Sequence, residues 1–185
     1  RVLNKEVIEP IYRQQCEALC PYVDVFLAET MSTIQEAVSA ASVASEFGKP
    51  VLVGLTLHDE QRGNLRSGES LSDAICELKK LNLEGLLANC SLPERITDAM
   101  PTIAGSGFTY SGGYANAFCN VPKDWLLDGD KDTDGKLEVR KDLTPNRYCQ
   151  FVIEWVESGA NLVGGCCGTT AEHIKSITEW LEKKE

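Results

Sequence analysis

Histidine is scarce in this chain: two in 185 residues, against eight cysteines. Its soft, metal-capable side chains are therefore mostly thiols. Basic residues are also short, 18 Lys and Arg against 28 Asp and Glu, which leaves a formal net charge of -10. That deficit argues against non-specific nucleic-acid binding, which needs clustered Lys and Arg. It mildly favours a cationic ligand. No apolar run reaches the ~20 residues of a membrane-spanning helix, and no charged-then-apolar leader opens the chain. Neither nucleic acid nor a membrane is thus an expected partner. The first residue is Arg1, so the natural start is expected to be missing or processed. The cysteines lack the spacing of a small secreted scaffold, and a chain of this length builds a core without disulfide staples. Reduced thiols in a cytoplasmic protein, some of them on metal, are the expectation.

What the chain does have is a repeated alternation of short apolar runs and amphipathic stretches. Helices are expected at 6–20, with Val7, Ile8, Ile11 and Leu19 as an apolar stripe around Cys16, and at 33–47 and 71–81. A short helix runs from Ser91 toward Met100, another from Pro145 to the stop at Gly159, and a last one follows Thr169 or Thr170. Strands are expected at 23–28, 51–57, 84–89, 102–105 with a Gly- and Tyr-rich continuation to Asn116, and 161–165. Apolar strands alternating with helices predict an α/β fold, a parallel sheet with helices packed outside. No linker or domain boundary interrupts it.

The most unusual stretch is Gly164-Gly165-Cys166-Cys167-Gly168-Thr169-Thr170. Neighbouring strand residues face opposite ways, so adjacent thiols serve one centre only where the chain leaves strand geometry. The flanking glycines permit that departure. Two small buried residues at a turn, or a strained vicinal disulfide, are the alternatives. Parallel α/β folds place their sites where strands end. That rule gathers Glu29-Thr30, Thr56 with His58, Asn89-Cys90, Tyr114 to Asn116 and Cys166-Cys167 on one face. Cys90, Cys166 and Cys167 then form a three-thiolate set with a fourth position open, as in catalytic zinc sites. Sulfur ligation favours zinc over magnesium or calcium.

Asn89-Cys90, Gly-Gly-Cys-Cys-Gly-Thr at 164–169, Glu29-Thr30, Arg66 to Ser70 and Tyr114-Ala115-Asn116-Ala117 together resemble the homocysteine S-methyltransferase family. The resemblance runs along nearly the whole chain; a proline usual at the position of Ala115 is absent. It implies a (β/α)8 barrel and zinc held by Cys90, Cys166 and Cys167. It implies that Glu29 contacts the amino-acid part of homocysteine. Thr30, Thr56 and Asn116 are further substrate-binding candidates. The implied reaction moves a methyl group from an activated small-molecule donor, S-methylmethionine or S-adenosylmethionine favoured, to the homocysteine thiolate, giving methionine. A family barrel has eight strands, and the five expected here match the last five. Residues 1–185 are therefore read as a partial TIM barrel, an N-terminally incomplete domain lacking the Asp-Gly-Gly stretch that helps bind homocysteine in the family. The open sheet edges of such a piece invite self-association. A non-catalytic zinc-thiolate fragment and a thiol redox protein are the competing readings.

Some features stand outside this reading. Asp130, Asp132, Asp134 and Gly135 match the first half of a calcium loop, but Lys141 stands where the bidentate Glu belongs. A weak calcium site there competes with a plain solvated acidic insertion. Trp125 packs that long irregular stretch down or covers the pocket. His58 is read as a loop histidine on the site face and His173 as structural. Cys16, Cys20, Cys76 and Cys149 are read as buried helix fillers.

Overall fold

The structure, a computed structural model, describes residues 4–119 and 137–184. The acidic stretch with Asp130, Asp132 and Asp134, together with Trp125, lies outside the described residues. The elements are α1 (Lys5–Leu19, prolonged by a 3-10 turn at Cys20–Tyr22), β1 (Phe26–Met31), α2 (Ile34–Ser45), β2 (Val51–Leu55) and α3 (Leu71–Leu78). Then come β3 (Gly85–Asn89), α4 (Pro93–Ala104), β4 (Tyr110–Ala115), α5 (Pro145–Glu157), β5 (Leu162–Gly165) and α6 (Ala171–Glu182). The strands form one parallel sheet in the sequential order β1-β2-β3-β4-β5. Sequential parallel strands with outer helices are the arrangement of a (β/α) barrel, here five of its eight units. The expected α/β class and partial barrel are both observed.

Local signals explain most boundaries. Thr33 caps α2 by accepting from the Glu36 N–H at 3.1 Å, and Glu36 in turn accepts from the Ser32 N–H at 3.2 Å. Ser70 caps α3, and Thr144 caps α5 with Pro145 at its first position.

Three expectations need correction. Residues 102–105 are not a strand; 102–104 are the last turn of α4. Ile96, Ala99, Met100 and Ile103 recur at helical spacing and are all buried, and that periodicity outweighs the short apolar run. The fourth strand is instead the Gly- and Tyr-rich stretch Tyr110–Ala115. Its glycines are required by close approach, since a Cβ on Gly112 would strike the Leu162 carbonyl of β5. Second, β1 begins three residues later than expected, so Glu29 and Thr30 lie inside it. Third, α1 buries only Ile8 and Cys16; Val7, Ile11 and Leu19 of its apolar stripe are exposed. Among the described residues nothing covers that stripe, and nothing pairs with the outer edges of β1 and β5.

The main core lies between the sheet and its helices, around Trp155, Tyr148, Met100, Ile103, Leu55 and Leu78. A smaller cluster, Leu52, Leu87 and Tyr114 with Leu162 and Cys166, sits on the opposite, inner face. Tyr148 links core and sheet. Its fully buried phenol oxygen accepts from the Ala115 N–H at 2.9 Å. It also lies 3.0 Å from the Ala115 carbonyl and 2.9 Å from the Gly164 carbonyl, as donor to one or the other. One side chain of α5 therefore clamps the ends of β4 and β5 together. Burial raises its phenol pKa and keeps the donor protonated.

Replacing Tyr148 by Phe leaves the buried Ala115 N–H without its partner. We expect Tyr148→Phe to lower stability by about 1–3 kcal/mol, measured by urea unfolding followed by circular dichroism.

Candidate metal centre

Cys90 follows β3 and Cys166-Cys167 follow β5, so β4 separates the strands that deliver them. Backbone bonds bring them level. The Cys90 N–H donates to the Tyr114 carbonyl at 3.2 Å, and its carbonyl accepts from the Thr56 hydroxyl at 3.2 Å. Cys90 has φ +46, a left-handed conformation unusual outside glycine. On the other side the Cys166 N–H donates to the Ala115 carbonyl at 3.0 Å, and the Cys167 carbonyl accepts from the Ala117 N–H at 2.8 Å. The Cys166 carbonyl accepts from the Thr169 N–H at 3.1 Å and from its hydroxyl at 2.6 Å. This tight turn, with Gly168 at φ +79, is the departure from strand geometry that lets adjacent thiols converge.

The Cys90 and Cys167 sulfurs are 4.0 Å apart and those of Cys166 and Cys167 3.9 Å, with all three within 4.8 Å of one another. Sulfurs on a tetrahedral zinc at ~2.3 Å stand about 3.8 Å apart. The three thiols thus fit zinc with little movement, and the exposed Cys167 leaves the cluster open on one side. Among the described residues no other group of three or more His, Cys, Asp or Glu converges this way. The electrostatics agree. The Cys166 thiol is pulled down to about 6, chiefly by the hydrogen bond from Cys90, whose own pKa is raised in return. Cys167 is raised by burial and then by the charge of Cys166. One thiolate is accommodated by S–H donors; three together call for a cation.

The other expected residues fall around this cluster. Glu29 and Thr30 are exposed at a bulge in β1: the pairing with β2 slips between Ala28 and Met31. Thr30 sits at φ +63, and its N–H and hydroxyl both bond the side-chain amide of Asn89, at 3.0 and 2.8 Å. The charge of Glu29 acts on Cys166 and on the buried Tyr114 phenol, whose pKa is raised foremost by burial. Thr56 is buried, its hydroxyl held by the Cys90 loop. Asn116 is buried too, accepting from the Phe118 N–H at 3.2 Å and donating its own N–H to Ser91 at 3.1 Å. His58 orders its own loop, its Nδ1 accepting from the Glu60 and Gln61 N–H groups at 3.1 Å each. His173 is structural as expected: Nδ1 accepts from the Thr170 N–H at 3.1 Å, and Nε2 meets the Leu143 carbonyl at 2.9 Å. Cys16 and Cys149 are buried, but Cys20 is half-buried and Cys76 exposed, because the helix faces carrying them point partly outward. Sequence reasoning placed Asn89 on the site face beside Cys90 but gave it no role of its own; the signal was an amide closing an otherwise apolar strand.

Strand ends that gather three thiols on a parallel barrel sheet make a candidate thiolate metal centre in the usual place for functional sites in such folds. The homocysteine S-methyltransferase profile matches residues 2–181, and the chain belongs to that family. Homocysteine S-methyltransferase 2 of Saccharomyces cerevisiae is 26% identical over 175 residues, which cover 87% of this chain and 48% of that protein. Selenocysteine methyltransferase of Astragalus bisulcatus is 26% identical over 194 residues, covering 97% of this chain and 51% of that one. The chain spans about half the length of these curated relatives. The homocysteine methyltransferase MmuM of Escherichia coli in its metallated form superposes with a TM-score of 0.74 at 22% identity, over 97% of this chain and 53% of that one. That likeness supports the fold.

Cys90→Ser removes a sulfur without disturbing the Cys166-Cys167 turn. We expect zinc content to fall from about one per chain to near zero, read by elemental analysis of the reduced, folded protein.

Proposed function

We propose that the protein transfers a methyl group from a sulfonium donor, S-methylmethionine or S-adenosylmethionine, to the thiol of homocysteine, giving methionine. Sulfur spacing carries this reading: three thiols at tetrahedral-zinc separation, open on one side. Cys90, Cys166 and Cys167 would hold zinc. Bound there, zinc supplies a Lewis acid that lowers the pKa of the substrate thiol and presents it as a thiolate at neutral pH. The chain's own residues do the rest. Three cysteine thiolates would offset the charge of such a metal, so that a substrate sulfur beside them would stay nucleophilic. Glu29 receives the ammonium of homocysteine, Thr30 supports that end through its backbone at the bulge, and Thr56 and Asn116 shape the wall between it and the thiols. In the transfer the substrate S–H proton is lost, a C–S bond forms, and the donor's S–CH₃ bond breaks to leave a neutral thioether. The negative chain mildly favours such a cationic donor. Cytoplasm is the compartment of this reading, because the three thiols serve only while reduced.

No helix of the described residues is long and apolar enough to cross a membrane. The unpaired edges of β1 and β5 and the exposed Val7, Ile11 and Leu19 support self-association of this chain. Light scattering coupled to size exclusion should show dimers or larger species, and a stable monomer at high concentration would contradict that part.

The activity is tested by incubating zinc-loaded protein with homocysteine and each donor and measuring methionine by mass spectrometry. Turnover should vanish with Cys90→Ser. Glu29→Gln should raise the homocysteine KM by about tenfold or more, the loss of one charge-assisted hydrogen bond. Zinc binding without methyl transfer from any donor would leave a metal-binding fragment instead.

A further inference from the structure

The amino-acid end of the pocket and its metal end are carried by different strands, and one buried side chain joins them. Thr30 is β-branched and yet sits at φ +63, where such residues are rarely found. The bulge it belongs to also inverts the facing of β1. Phe26 and Met31, five positions apart, both enter the main core. Strand alternation alone would turn Met31 to the same side as Leu27 and Glu29. The bulge therefore separates Glu29 on the inner face from Met31 in the core.

What holds this unfavourable backbone is Asn89, the wholly buried last residue of β3. Its Oδ1 accepts from the Thr30 N–H at 3.0 Å, and its Nδ2 donates to the Thr30 hydroxyl at 2.8 Å. Since β2 lies between β1 and β3, the amide must reach across it. Gly54 of β2 makes room: a Cβ there would come within 2.9 Å of the Asn89 Oδ1 and equally close to the Tyr114 hydroxyl. The next residue after Asn89 is the thiol Cys90, itself left-handed at φ +46. One amide thus holds the strained Thr30 from the position next to Cys90.

We propose that Asn89 is a positioning residue that sets the place of Glu29 relative to the three thiols, through its reciprocal bonds to the bulge at Thr30. This rests on the reading of Glu29 as the ammonium-binding group. Asn89 touches no substrate. It governs recognition of the amino-acid portion of the ligand and not capture of the metal.

The test uses cobalt(II)-loaded protein, with the sulfur-to-cobalt charge-transfer band as the signal and two probes, homocysteine and 2-mercaptoethanol. If the unaltered protein takes up no metal or no homocysteine, the proposed function itself fails, independently of Asn89. With both bound, Asn89→Leu should keep its metal content and weaken homocysteine by about tenfold or more, while 2-mercaptoethanol changes less than about twofold. Adding Thr30→Gly to Asn89→Leu should recover most of that loss, because glycine holds φ +63 unaided. A direct substrate contact by Thr30 predicts the opposite, a further loss. If Asn89→Leu does not fold, Thr30→Val removes only the hydroxyl bond at an exposed site and should weaken homocysteine about threefold with metal content unchanged. Unaltered homocysteine affinity in the folded variants, equal losses for both thiols, or no recovery in the double variant would overturn the proposal.

Discussion

Three sulfurs, with neighbours 3.9 and 4.0 Å apart, cannot all be thiolates unless a cation lies between them. Much of the inner architecture serves to bring those sulfurs together. Cys90 and Cys166 descend from strands that are not neighbours, so β4 must be narrow where it passes between β3 and β5. Gly112 meets that need against the backbone of Leu162, while Gly113 lets the Ile96 side chain of α4 pack close on the outer face of β4. Tyr148 then fixes the ends of β4 and β5 in register from the outside. The helix that carries Tyr148 is itself fastened to α4, where the Trp155 indole N–H donates to the Thr97 hydroxyl at 2.8 Å. A chain of buried contacts thus runs from the helical layer to the sulfur cluster.

The inner face is divided into an apolar floor and a polar upper rim. Leu52, Leu87 and Leu162 form the floor with Tyr114, while Glu29, Asn89, Asn116 and the thiols stand toward the strand ends. Glycines at 54, 85 and 112 let neighbouring side chains and backbone pack closely on this face. Cys167 faces solvent and Glu29 lies exposed on β1. The described residues therefore carry these groups on one face of the sheet, toward the ends of its strands.

Much of this was legible in the sequence. The three thiols, the strand-end rule and the parallel alternation led directly to the observed cluster, because thiol chemistry and barrel topology both constrain residue type at a few positions. What sequence periodicity missed depended on tertiary contacts. Tyr110–Ala115 is poor in strand formers and is made a strand by its neighbours, while Thr102-Ile103-Ala104 is β-like in composition and helical in context. The bulge at Glu29-Thr30 left no local mark, since nothing in Thr30 announces a left-handed backbone. Its cause, Asn89, lies 59 residues away. The stripe on α1 was readable as apolar, but not whether the described residues would cover it.

The separation of the three clustered thiols along the chain has a kinetic meaning. Cys90 and Cys167 are 77 residues apart, with α4, β4, α5 and β5 between them. Their encounter requires closure of a long loop and the docking of two strand–helix units, so the cluster belongs to the late stages of folding. A metal ion arriving earlier meets only the adjacent pair Cys166-Cys167, a weaker two-sulfur site. Zinc held by all three thiols, as proposed, would act as a final latch: it would bind the assembled sheet best, draw the population toward it by mass action, and slow its opening.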